Sequence, residues 1–182
     1  MSSQLELPRL TDDVGPADHV RGHEDAPLVL VEYGDYECPY CRAAYPIVKE
    51  VERLLGDELT SVFRNFPLTS VHPHAFQAAE AAEAAAAQGR FWEMHDYLFE
   101  HQRRLATGDL LGYAEALGLD VARVERELDT NVHAGRVRRD LTSGLRSGVN
   151  GTPTFFINGV RHNGAYDVKT LVGALSAVRP RP

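Results

Sequence analysis

The chain has 182 residues, a formal net charge of −7, 43% hydrophobic residues and 25% charged residues. That length suits one domain, or one domain carrying an insertion, with enough chain to bury a real core. The acidic balance leaves no basic footprint for nucleic acid, and no apolar run approaches the ~18 residues of a membrane span. Neither a nucleic-acid nor a membrane partner is therefore expected.

Residues 1–18 read as a loose tail, because Pro8, Gly15 and Pro16 break any period. Met1 to Val20 has no basic start and no apolar stretch, and carries Glu6, Asp12, Asp13 and Asp18 instead. This is not the pattern of a secretory signal. Either a cytoplasmic chain or a mature form stripped of its signal is expected, and Met1 favours the cytoplasmic location. His19–Gly22 suits a short edge strand. Leu28 to Tyr33, apolar and β-branched between Pro27 and Gly34, suits a buried strand. A helix follows to Leu55, with Ala44, Ile47, Val48, Val51, Leu54 and Leu55 at helical spacing, Pro46 as an expected kink and Gly56 as a stop. Leu59 to Phe66 is the next strand. Strand, helix, strand makes a βαβ unit whose strands should be parallel neighbours.

The period then changes. Residues 74 to about 147 are expected to be helical nearly throughout, beginning with the alanine-dominated run Ala75–Ala87. Phe91, His95, Leu98 and Phe99 share one helix face, with Trp92 beside them. Leu110, Ala114 and Leu117 mark a short helix. Asp120 caps another with Val121, Val124 and Leu128 inward. Val137, Leu141 and Leu145 step by four along the last. Thr154–Ile157 and Val160–His162 form a hairpin across Asn158-Gly159, a strong two-residue turn signal, and Asp167–Val178 closes the chain as a helix. The domain plan is thus a tail over 1–18, an α/β domain over 19–70 and 148–182, and an inserted helical subdomain over 71–147.

The only two cysteines, Cys38 and Cys41, sit in Cys38-Pro39-Tyr40-Cys41, between the strand and the helix. With no other thiols and a βαβ pattern around it, C-x-x-C reads as a thioredoxin-like redox motif. A zinc site would need four ligands, and no second C-x-x-C exists. His72 and His74 form an H-x-H pair in a loop, again too few ligands for a metal. His95 is expected to be a hydrogen-bonded core histidine. No metal and no cofactor are expected.

These residues resemble the DsbA-like branch of the thioredoxin superfamily. The resemblance rests on Glu32-Tyr33-Gly34-Asp35-Tyr36-Glu37-Cys38-Pro39-Tyr40-Cys41, Phe63-Arg64-Asn65-Phe66-Pro67-Leu68, His72-Pro73-His74-Ala75, Gly89-Arg90-Phe91-Trp92-Glu93-Met94-His95-Asp96 and Gly151-Thr152-Pro153-Thr154-Phe155-Phe156-Ile157-Asn158-Gly159. It covers roughly residues 19–178, and extends to the domains fused to NhaA-type antiporters. It implies an α/β thioredoxin-like fold with an inserted all-helical subdomain, and disulfide exchange with protein substrates and a redox partner of unknown identity.

At the site, the resemblance and the chemistry combine. Cys38 at a helix N-terminus is the expected attacking thiolate, and Cys41, one turn in, the resolving thiol. Pro39 and Tyr40 tune the pair, and Tyr40 supplies no positive charge. Asp35 and Glu37 raise the Cys38 pKa if they point at its sulfur. Glu32, a carboxylate inside an apolar strand, resembles the family's buried acid that moves the proton of the resolving cysteine. Pro153 resembles its cis-proline, which leaves the Thr152 backbone to pair with an extended substrate. Two alternatives are a glutathione-linked transferase or isomerase of the same architecture, whose members generally lack the second cysteine, and a non-catalytic peptide-binding module. With Cys38 two or three units above the family extreme of ~3.5, the couple is expected near −180 to −210 mV, about 60–90 mV below the strong oxidant at ~−120 mV.

Overall fold

A computed structural model describes residues 7–179. Five strands form one sheet in the order β1-β3-β2-β4-β5. They are β1 His19–Gly22, β2 Leu28–Gly34, β3 Leu59–Asn65, β4 Thr154–Ile157 and β5 Val160–His162. β2 and β3 run parallel in the register Glu32 opposite Phe63, and the helix α1, Pro39–Leu55, joins them. β1 is the antiparallel edge on one side, and β4 and β5 add antiparallel on the other. Asn158 and Gly159 both have positive φ, 45° and 79°, as the tight β4–β5 turn requires.

Alternation along β2 sorts its side chains between two cores. Leu28 and Leu30 face α1 and the last helix, α7 (Val168–Ala177), where they meet Ala44, Val51, Phe155, Leu171 and Leu175. Val31 and Tyr33 face the other side, with Val62, Phe66, Val149 and Phe156. Glu32 therefore falls on the α1 side.

Between β3 and β4 lie five helices: α2 Ala75–Ala86, α3 Phe91–Glu100, α4 Thr107–Ala116, α5 Val121–Asp129 and α6 Ala134–Arg146. They pack around a third core, built on the buried alanines of α2 with Phe91, Met94, Leu98, Phe99, Leu110 and Val124, which also takes in Tyr36, Cys38, Cys41 and Phe63. The Asp120 side chain accepts the Arg123 N–H at 2.9 Å and caps α5. His95 is buried and bonds the Tyr36 hydroxyl through Nδ1 at 3.1 Å.

Two expectations are corrected. Leu145 is 60% exposed and does not continue the inner face of α6. Steps of four on a helix of 3.6 residues per turn drift by roughly 80° between Val137 and Leu145. The face that packs inward is Val137, Asp140, Ser143 and Gly144. It is partly polar because Asp140 accepts the Asn65 N–H at 3.1 Å and Ser143 bonds the Tyr33 hydroxyl at 2.7 Å. The tail is the second correction. Residues 1–6 lie outside the described residues, but residues 8–18 are tied to the sheet. Arg9 bridges Val160, Leu10 donates to the Gly159 carbonyl, and Arg161 donates to that of Pro8. The buried Arg64 guanidinium grips the carbonyls of Asp12 and Asp13 and both carboxylate oxygens of Asp18, at 2.8–3.1 Å.

Candidate active site

The strand β2 ends at Gly34, and five residues later α1 begins. The space is tight here: a Cβ on Gly34 would lie 2.4 Å from the Phe63 ring and 3.2 Å from Glu32 Oε1. Cys38 is the N-cap of α1 in an extended conformation, and Pro39 takes the first helical turn, where a missing N–H costs nothing. Cys41 lies within that turn, fully buried, and Cys38 is 3% exposed. Both are free thiols. Tyr40 between them projects outward, 64% exposed.

The two sulfurs have opposite acidities. Cys38 is pulled down from 9.0 to about 5, first by the hydrogen bond from the Cys41 thiol, against the cost of burial, and then by Thr152 and the backbone N–H groups of Cys41 and Tyr40. These N–H groups are the unpaired donors of a helix start. Cys41 is pushed well above its ordinary value, chiefly by burial, then by donating to Cys38 and by the nearby Glu32.

Thr152 and Pro153 stand opposite. Their peptide bond is cis. As a thiol, Cys38 Sγ donates to the Thr152 carbonyl at 3.4 Å. The Thr152 hydroxyl has no partner among the described residues, which leaves it able to donate to the sulfur once the thiol has lost its proton.

Glu32 is 7% exposed, and its Oε1 has no partner among the described residues. Burial, then Glu52 and then Cys38, raise its pKa from 4.5 to about 8. It lines a cavity of about 20 Å³ with Ser61, Tyr45, Lys49 and Glu52. With its pKa near neutrality and a buried thiol beside it, this carboxyl can pass a proton either way: its ionised form accepts the Cys41 proton and its protonated form returns it.

Asp35 and Glu37 do not point at the Cys38 sulfur. Asp35 accepts from Glu37 N–H and Leu68 N–H and bonds His72 Nδ1, each at 2.8 Å. Glu37 accepts the His74 N–H at 2.6 Å and bonds its Nδ1 at 3.0 Å. The H-x-H pair thus serves the D-x-E pair. Among the described residues no group of three or more His, Cys, Asp or Glu side chains could hold a metal. Sequence reasoning also missed Gln102, whose Nε2 reaches from beyond α3 to the carbonyls of Tyr36 and Cys38 at 2.9 and 2.8 Å. No local signal marks it, since its partners are more than sixty residues away in sequence.

Residues 15–177 match the thioredoxin family. The chain belongs to the thioredoxin family. It is 51% identical over 171 residues to the Na(+)/H(+) antiporter NhaA 3 of Salinispora tropica, and 47% identical over 162 residues to the Na(+)/H(+) antiporter NhaA of Herminiimonas arsenicoxydans. These alignments cover 91% and 89% of this chain but only 26% of either antiporter. The chain thus spans about a quarter of the length of these curated relatives, as a domain fused within a larger protein does. No helix among the described residues is long and apolar enough to cross a membrane. Among solved structures, BdbD of Bacillus subtilis in its oxidised form superposes with a TM-score of 0.81 at 23% identity, covering 95% of this chain and 96% of that one. A thioredoxin-like oxidoreductase from Silicibacter pomeroyi also gives 0.81, at 26% identity, covering 91% and 94%. The fold is thioredoxin-like with a helical insertion, as in DsbA-type structures, and it carries a C-x-x-C pair.

Proposed function

We propose that this thioredoxin-family domain exchanges disulfides with protein substrates through Cys38 and Cys41. One observation carries the reading: two thiols one helical turn apart, the outer pulled down to about 5 and the inner pushed well above its ordinary value. The outer sulfur is then a thiolate at neutral pH, and the inner one holds its proton until it is needed.

In the reducing direction, the Cys38 thiolate attacks one sulfur of a substrate disulfide. The substrate S–S bond breaks, a Cys38–substrate disulfide forms, and the other substrate sulfur leaves as a thiolate. Cys41 then gives its proton to the Glu32 carboxylate and attacks the Cys38 sulfur. The second substrate sulfur leaves, and Cys38 and Cys41 are left as a disulfide. Two electrons have passed to the substrate. In the oxidising direction each step reverses. Thr152 and Pro153 present the surface against which an extended substrate lies, and Pro39 and Tyr40 shape the turn. A separate dithiol or disulfide protein returns the pair to its starting state, so the redox poise of the surroundings fixes the net direction. A cytoplasmic setting, with its reducing glutathione pool, would keep the pair mostly as dithiol.

The test is threefold. Reduced protein should accelerate insulin reduction, fail to conjugate glutathione to electrophiles, and equilibrate as a two-electron couple with a glutathione series. Conjugation without insulin reduction would favour a glutathione transferase, and neither activity would leave a peptide-binding domain.

A further inference from the structure

The H-x-H motif invites a metal reading, and the structure uses it otherwise. Asp35 and Glu37 are two residues apart, as are His72 and His74, and the two pairs meet rung to rung: His72 on Asp35 at 2.8 Å, His74 on Glu37 at 3.0 Å. All four carboxylate oxygens are engaged. Asp35 Oδ1 holds the Glu37 N–H, Asp35 Oδ2 holds Leu68 N–H and His72, Glu37 Oε1 holds the His74 ring and Glu37 Oε2 holds the His74 N–H. The Asp35 side chain is fully buried, and the Glu37 side chain is 21% exposed.

The Asp35 backbone ties this arrangement to the reactive turn. Its N–H points at Cys41 Sγ at 3.4 Å, and its carbonyl accepts the Cys38 N–H at 3.1 Å. A single residue therefore touches both cysteines through its main chain and the histidine loop through its side chain. The loop, from Leu68 to His74, joins β3 to α2, so the link runs from the inserted helices to the sulfurs.

We propose that His72 and His74 are positioning residues for the redox pair: as a two-rung clasp they hold Asp35 and Glu37 turned from the Cys38 sulfur and fix the turn that carries both cysteines. The physical reason is direct. A carboxylate loose beside a thiolate repels it and raises its pKa, which lowers the thiolate fraction and makes the sulfur a poorer leaving group. The same carboxylate fully engaged by donors stays where its charge is compensated. The clasp explains how an active turn with two acids next to its nucleophile keeps a thiolate, with no basic residue between the cysteines.

This inference rests on the redox reading, and its test reads the thiol itself. The double variant His72→Ala/His74→Ala should alkylate Cys38 about tenfold more slowly at about pH 4, below the wild-type thiol's pKa, and should shift the glutathione equilibrium about tenfold toward the protein disulfide. The double variant His72→Asn/His74→Asn places an amide N–H near each Nδ1 and should stay within about threefold of the wild type. Adding Glu37→Gln to His74→Ala should recover most of that single variant's loss, since the released side chain is then uncharged. Folding is checked by circular dichroism. Should the double alanine variant not fold, His74→Ala alone, at an exposed rung, is the deciding protein, with a fall of about threefold expected. Rates and equilibrium unchanged in the folded alanine variants would overturn the proposal, as would asparagine variants as impaired as the alanine ones. A wild type that equilibrates with no glutathione couple would instead sink the redox reading, and the alkylation result would still stand.

Discussion

Asp35 donates its backbone N–H to the sulfur of Cys41 at 3.4 Å. Six residues of chain thus fold back so that the strand end holds the inner thiol while the helix start activates the outer one. The division of labour between the two sulfurs follows from this relationship, and each consequence below can be measured.

Cys38 should react with iodoacetamide at about pH 6 while Cys41 does not, because one is pulled down to about 5 and the other pushed up by burial. Cys38→Ser should abolish exchange. Cys41→Ser should accumulate mixed disulfides, seen as mass adducts. Equal labelling of both thiols would reverse the assignment.

The Thr152 hydroxyl has no partner among the described residues. Thr152→Val removes the donor available to the thiolate and should raise the Cys38 pKa by about one unit. Ultraviolet thiolate absorbance against pH gives the value, and an unchanged midpoint would discard this role.

Glu32→Gln should slow release of substrate from Cys38 near neutral pH and leave alkylation of Cys38 little changed. It should also alter stability. The folded pKa of Glu32 is raised from 4.5 to about 8, so between those values the native state binds the extra proton. The stability tied to that proton is full below about pH 4.5 and is lost as pH rises through about 8, on the order of a few kcal/mol. Urea unfolding of the variant should lack this decline, and parallel curves for variant and wild type would refute it.

The couple should be more oxidising than the sequence implies. The expected range near −180 to −210 mV assumed acids facing the sulfur, and Asp35 and Glu37 are engaged elsewhere. A Cys38 pKa of about 5, one and a half units above ~3.5, places the potential near −165 mV. Above about pH 5 only the Cys41 proton follows the electrons, so the potential should fall by about 30 mV per pH unit, and twice as steeply below. Glutathione equilibria across pH check both, and a value of about −180 to −210 mV would restore the charge argument.

Gly34→Ala should cost about 1–3 kcal/mol, because its Cβ would enter the Phe63 ring at 2.4 Å. Thermal unfolding measures it. A loss under half a kcal/mol would mean that the ring moves aside with ease.

The sequence carried the fold because each element obeys a local rule. Alternation placed Leu30 and Val31 on opposite faces of β2, Asn158-Gly159 forced the hairpin, and Pro39 after Cys38 opened α1. The cysteine pair was legible for the same reason, being contiguous. What stayed hidden joins residues far apart in sequence. The partners of Asp35 and Glu37 lie thirty-seven residues on, and Gln102 reaches sixty-four residues back to Cys38. Periodicity misplaced Leu145 because apolar spacing cannot see that Asp140 and Ser143 are recruited inward by polar partners on β2 and β3. It read residues 8–18 as loose because prolines and glycines say where a chain bends, not what it lies against.

The strap formed by residues 8–18 has a mechanical consequence. Force that reaches Arg9 would pass directly into the sheet. It would load the Arg9–Val160 bridge and the Arg64 grip on Asp12, Asp13 and Asp18. One anchor is β5, beside the strand that follows Pro153, and the other is β3, parallel partner of the strand that leads to Cys38. Force borne by the strap is therefore delivered to the two strands that flank β2 and β4, the strands that lead to Cys38 and away from Pro153.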